Sequence, residues 1–180
     1  MNEKKRLWFA LLMWCFSWPI GGAMATDVGS ITISSTIQAD CSISVNTSQV
    51  VLGSISATDV RKTVAGNLLV DTSGSFTVTP TCVGAAAGTL TLSTSGGVAD
   101  GYLMTSDGSD YIRFKIEESS QGEFESFDST SKSVSLGISG ANLSAGNPLT
   151  FNVLGIAGAN SSSAMAGTYS STLNIELAAE

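Results

Sequence analysis

Apolar residues recur at every second position in segment after segment of this chain. Near the start, Ile31, Ile33 and Ile37 fall on one face, and Ser30, Thr32, Ser34, Thr36 and Gln38 on the other. At the end, Tyr169, Leu173, Ile175 and Leu177 share a face opposite Ser170, Thr172, Asn174 and Glu176. Successive side chains leave a β-strand on opposite sides, so a strict period of two predicts half-buried strands. Shorter candidates lie between them: Cys41, Ile43 and Val45; residues 50–52, ended by Gly53; residues 68–70, stopped by a turn at 71–74; and Phe76 and Val78, leading to Pro80 and Cys82. Leu90 with Leu92, residues 111–116, Val134 with Leu136 and Ile138, and Leu149, Phe151 and Val153 follow, before the last strand at 168–177. Ser, Thr, Gly and Val dominate, and no helix is predicted after the leader. Many short strands divided by Gly, Ser and Asp turns predict an all-β sandwich.

The first residues carry a different signal. Lys4, Lys5 and Arg6 precede an apolar run at 7–16, and Ala23-Met24-Ala25 supplies a small-x-small cleavage pattern. The run is too short to span a bilayer, and Pro19, Gly21 and Gly22 interrupt it, so an export signal at 1–25, removed after Ala25, is preferred to a retained anchor. The expected organisation is therefore a signal peptide at 1–25, an N-terminal extension at 26–40 and one domain at 41–180.

Removal of the leader takes away all three tryptophans and leaves Arg61, Lys62, Arg113, Lys115 and Lys132 as the basic residues. The remaining chain is strongly acidic and repels phosphate backbones, which argues against a nucleic-acid partner. Cys41 and Cys82 are an even pair in an exported chain, which argues for one disulfide. A metal site is the alternative for two thiolates, but the chain has no histidine to complete one.

Without histidine, Ser-His-Asp and Cys-His catalysis are out of reach. The stretch 71–74 has the wrong residue order for an aspartic protease loop and reads as a β-turn. Residues 107–110 lack the further carboxylates of a calcium loop. Glu117, Glu118, Glu123, Glu125 and Asp128 read as a solvated hairpin rather than a glycosidase pair. No cofactor and no catalytic residue is predicted. Strand physics remains: an unpaired sheet edge templates another strand.

The order of these elements resembles the subunits of pili built by the chaperone–usher pathway, of the type 1 pilin kind. The resemblance rests on Gly29-Ser30-Ile31-Thr32-Ile33 ahead of Cys41-Ser42-Ile43, on Val51-Leu52-Gly53, on Phe76-Thr77-Val78 before Cys82, and on Ala166-Gly167-Thr168-Tyr169 opening the last strand. It implies an immunoglobulin-like sandwich lacking its last strand and completed by donor-strand complementation. It implies that Gly29, Ile31, Ile33 and Ile37 form the donor strand. Gly167, Tyr169, Leu173, Ile175 and Leu177 would lie on the last strand, which faces first a periplasmic chaperone and then the next subunit. The implied partners are neighbouring subunits in a homo- or hetero-polymer, the chaperone and an outer-membrane usher. The implied location is a pilus on the bacterial surface, reached through the periplasm, with a role in cell adhesion. The sequence departs from the family at Ala179, where a penultimate tyrosine is usual. The donor register stays open, because a slip of one residue turns Thr32 and Ser34 inward. A secreted module that binds a host or abiotic surface, as a tip adhesin or coat-type protein would, is the alternative reading.

Overall fold

A computed structural model describes residues 34–35, 38–119 and 126–180. The chain divides into two units, Met1–Thr36 and Ile37–Glu180, and the fold that follows is that of the second. Its strands are β1 (Asp40–Val45), β2 (Leu68–Val83), β3 (Ala87–Ser93), β4 (Val98–Ala99), β5 (Tyr102–Met104), β6 (Ile112–Glu118), β7 (Ser133–Ser139), β8 (Leu149–Ala157) and β9 (Asn174–Ala179). They form a six-stranded sheet, ordered β1-β2-β8-β6-β5-β4, and a three-stranded sheet, ordered β7-β3-β9. Every pairing is antiparallel.

Alternation decides which side chains meet between the sheets. Phe76, Val78, Pro80 and Cys82 of β2 are buried, as are Leu90 and Leu92 of β3 and Phe151 and Val153 of β8. With Leu103, Ile116, Ile138 and Leu143 these residues make one core. Phe76 and Phe151 sit directly opposite across β2 and β8, and their rings stack with centroids 5.1 Å apart. Phe76 and Phe151 thus join the core packing to the pairing of its two longest strands. Cys41 and Cys82 are likewise opposite on β1 and β2 and are joined by a disulfide.

The structure departs from the sequence reading in four places, each for a local reason. The residues at 71–74 do not end a strand. They form a bulge inside the single strand β2, whose register with β8 shifts between Leu68 and Ser73. Asp71 takes a left-handed conformation (φ 57°), and Thr72 Oγ1 donates to Leu69 O at 2.8 Å. Gly155 on β8 makes room for the bulge: a Cβ there would lie 2.4 Å from Thr72 Oγ1.

Residues 50–52 alternate but join no ladder. Asn46 stops β1 by using its side-chain carbonyl to accept from Thr77 N at 2.7 Å, in place of the next ladder bond. Two one-turn helices also form, α1 (Ala57–Lys62) and α2 (Gly140–Ala145). Ser56 caps α1, accepting from Asp59 N, and Gly146 ends α2 with a φ of 63°. Each helix buries one apolar residue, Val60 and Leu143. Finally, the last strand runs over Asn174–Ala179 rather than 168–177, because β3 ends at Ser93, opposite Asn174.

Candidate subunit-docking groove

β1 and β9 are both edge strands, each with one neighbour. They belong to different sheets but pack side by side. The end where β1 begins is closed. Asp40 lies opposite Val83, and Ala179 lies opposite Gly88. Ala86 N and Ala87 N both donate to Glu180 O, and Glu180 N donates to Ala87 O.

Toward the other end the two segments part. After Val45 the chain runs on as the irregular lip 46–56, and before Asn174 it descends as the irregular lip 164–173. Between them lies a groove of about 830 Å³. Core side chains form its floor, among them Phe76, Leu103, Phe114, Ile116 and Val153. A sandwich with one strand missing between its first and last strands would have this shape: two unpaired edges over exposed core.

Each lip is anchored to a different part of the sandwich. The first is held to β2. Val50 and Leu52 pack on the bulged strand at Gly74, where a Cβ would stand 2.6 Å from Val50 Cγ1. The second is held by its carbonyls. Ser106 N donates to Ser170 O at 2.8 Å, and Thr94 Oγ1 donates to Thr172 O at 2.8 Å. Alternation persists along this lip, with Tyr169, Ser171 and Leu173 partly buried and Ser170 and Thr172 exposed. Tyr169 is fixed edge-on to Tyr111 and donates from its hydroxyl to Met165 O at 2.6 Å.

The lips meet again at the top. Arg61 Nε, at the end of α1, donates to Ala164 O at 2.7 Å, and Ser161 Oγ donates to Thr63 O at 3.3 Å. Val60 packs there with Leu69, Ala157 and Ala164 in a small second core.

A buried ion pair supports the second lip from behind. Arg113 on β6 donates to both carboxylate oxygens of Asp110, at 2.6 and 2.8 Å, and to Asp100 at 2.5 Å. The hydrogen bonds from Arg113 outweigh burial and hold the Asp110 carboxyl below the ordinary carboxylate range. Asp110 holds Arg113 above its usual value in return. Asp110 O accepts from Asn160 N at 2.9 Å, and a Cβ on Gly158 would lie 2.1 Å from that carbonyl. The ion pair thereby fixes the start of the loop that becomes the lip.

Of the residues assigned to the acceptor face, Gly167, Tyr169, Leu173 and Ile175 line the groove. Leu177 does not; it packs against the main core below the groove. Gly29, Ile31, Ile33 and Ile37 of the donor segment lie outside the described residues. The sequence reading took residues 50–52 as a strand and did not assign the first lip to the groove, because the run Val50-Val51-Leu52 is apolar throughout and does not show which side chains face inward. It also missed Arg61, because a basic residue in a chain segment gives no signal of a distant backbone partner.

Comparison with known proteins bears on this architecture. The crystal structure of the P pilus rod subunit PapA matches over 85% of this chain and 100% of its own, with a TM-score of 0.50 and 16% identity. That likeness shows the fold: an immunoglobulin-like all-β pilin sandwich. The CsuC–CsuE chaperone–tip adhesion subunit pre-assembly complex from archaic chaperone–usher Csu pili of Acinetobacter baumannii matches over 79% of this chain and 40% of its own, at 12% identity and a TM-score of 0.38. No curated protein sequence matches the chain. The family model described as the Spore Coat Protein U domain matches residues 27–176. The chain therefore belongs to the Spore Coat Protein U domain family, a chaperone–usher pilus family.

Proposed function

We propose that this chain is a structural subunit of a chaperone–usher pilus, that it polymerises by donor-strand exchange, and that the resulting fibre supports cell adhesion. The observation that carries the proposal is the groove between two unpaired edges, floored by core side chains. Its occupant is the alternating segment at 26–40 of another copy, delivered after cleavage of residues 1–25 and passage through the periplasm.

A periplasmic chaperone fills the groove first, at the outer-membrane usher the next subunit's extension replaces it, and the polymer is displayed on the bacterial surface. Donor and groove lie on different parts of one chain, so each contact is heterologous and leaves a free groove and a free extension. Such contacts propagate as an open fibre. Burial of Ile31, Ile33 and Ile37 contributes about 5–8 kcal/mol before ordering costs, and exchange without ATP follows where the extension packs better than the chaperone strand it replaces. Assembly rather than catalysis is the work of this chain, consistent with the lack of histidine and the pairing of Cys41 with Cys82.

Deleting residues 26–38 is expected to leave a folded, chaperone-bound domain that does not polymerise. Fibres seen by electron microscopy from the truncated chain would overturn the proposal.

A further inference from the structure

Among the described residues, one buried side-chain polar atom has no hydrogen-bond partner: Ser171 Oγ. It belongs to a residue that lines the groove. The hydroxyl lies toward Gly96, where an added Cβ would stand 3.9 Å from it. Ser171 also interrupts the apolar alternation Tyr169, Leu173, Ile175, Leu177, sitting on the same partly buried face. A buried hydroxyl without a partner is costly, and rotation about χ1 to meet an incoming group relieves that cost.

The donor segment has a matching interruption. By alternation, the face that carries Ile31, Ile33 and Ile37 also carries Ser35. Each of the two apolar faces thus contains one serine. Ser170 and Thr172 direct their carbonyls toward Ser106 and Thr94. In an extended segment the backbone groups of Ser171 then face the opposite, open side.

We infer that Ser35 of an incoming copy pairs with Ser171 and that this hydroxyl pair sets the register of the donor strand. The inference rests on the donor-strand reading above. Residues directly opposite on antiparallel strands have Cβ atoms about 4.5–5.5 Å apart, a gap that two serine hydroxyls bridge after a one-well rotation of Ser171 about χ1.

The antiparallel arrangement makes the rest of the face consistent. With Ser35 opposite Ser171, Ile37 meets Tyr169, Ile33 meets Leu173 and Ile31 meets Ile175. Gly29 then falls beside Leu177, where the groove has closed and no side chain is needed. The parallel arrangement sets Ile31 against Gly167 and leaves only Ala39 opposite Ile175. A slip of two residues in either direction places an isoleucine on the unpartnered hydroxyl and Ser35 on an apolar residue. A slip of one turns the hydroxyls of Ser34 and Thr36 inward.

Cross-linking reads the register directly. The full chain carrying Ser171→Cys is mixed, under mild oxidation, with synthetic peptides of residues 27–38 bearing one of Ile31→Cys, Ile33→Cys, Ser35→Cys or Ile37→Cys. The Ser35→Cys peptide is expected to cross-link fastest; a faster reaction at any other position overturns the register. Dissociation of the unmodified peptide supplies the second arm. Ser171→Ala is expected to speed its release about fivefold, and Ser171→Thr, which keeps the hydroxyl, to restore slow release. Equal release from wild type and Ser171→Ala overturns the hydroxyl pair while leaving the donor-strand reading intact. A wild-type chain that binds no peptide at all overturns both.

Discussion

The two ends of the sandwich use the same pair of chain segments differently. At the closed end, β1 and β9 are bonded into their sheets and pack side by side, and the disulfide and the terminal Glu180 bonds tie them down. At the open end their continuations, 46–56 and 164–173, keep an alternating pattern but have no ladder partner. The difference shows that a strand-like sequence does not by itself make a strand. Alternation specifies which side chains face the core, whereas a ladder needs a neighbour's backbone. The lips carry the first and lack the second. What holds the lips apart is therefore a set of discrete contacts, each of which can be removed.

The largest effect is expected from the closed end. Replacing Cys41 by Ser removes the bridge between paired residues of β1 and β2, and loss of a native disulfide from such a domain costs about 2–5 kcal/mol. Denaturant unfolding of the purified variant should show a lower midpoint and a steeper slope, because the unbridged unfolded chain exposes more surface, and export yield should fall. If the bridge were dispensable, midpoint and yield would both be unchanged, and the closed end would owe its closure to strand pairing alone.

Asp110→Asn should act on the open end with a somewhat smaller cost, about 2–3 kcal/mol, because Arg113 keeps Asp100 as a partner. The effect has a pH signature. The Asp110 carboxyl is held below its unfolded value of about 3.9, so its contribution is fully present above that pH. It is lost as pH falls through the lower folded value. Wild type should therefore lose stability on acidification in this window, and the variant, already without the carboxylate, should lose less. Parallel acid-unfolding curves for the two proteins would mean that Asp110 does not brace the lip.

How far the sequence revealed this contrast depends on the element. β3, β7 and β8 were legible because apolar residues recur at every second position along most of each strand and each has a partner along its length. β4 and β5 were not, since two or three residues give no period to read. α1 did carry a local signal, Ser56 followed three residues later by Asp59: Ser56 Oγ accepts from Asp59 N and donates to the Asp59 carboxylate at 2.6 Å. A single helical turn is nonetheless too short for its periodicity to outweigh the surrounding strand composition. Alternation alone put Tyr169 and Leu173 of the second lip on one face with Ile175 of β9, and the resemblance supplied their acceptor role. Ser171 was hidden because a polar residue on an apolar face looks like the end of the pattern. Its meaning depends on what lies opposite, which periodicity within one segment does not encode.

The smallest of these effects tests whether the open end is pinned at its top. Arg61 and Ala164 are far apart in sequence, and their bond joins the helix after the first lip to the start of the second. Loss of a hydrogen bond from a charged, largely exposed side chain should cost about 1 kcal/mol, or about 2–4 °C in melting temperature for a domain of this size. The informative readout is local. In Arg61→Ala, amide hydrogen exchange should quicken across 158–173 and leave β2, β3 and β8 unchanged, because the start of the second lip loses its bond to α1 while the anchors at Ser170 and Thr172 remain. Arg61→Lys should not restore protection fully, since an ammonium on a flexible stem does not reproduce the fixed Nε–H direction. Exchange that rises evenly over the whole sandwich would mean that Arg61 contributes to general stability and that the width of the groove is set by the lips themselves.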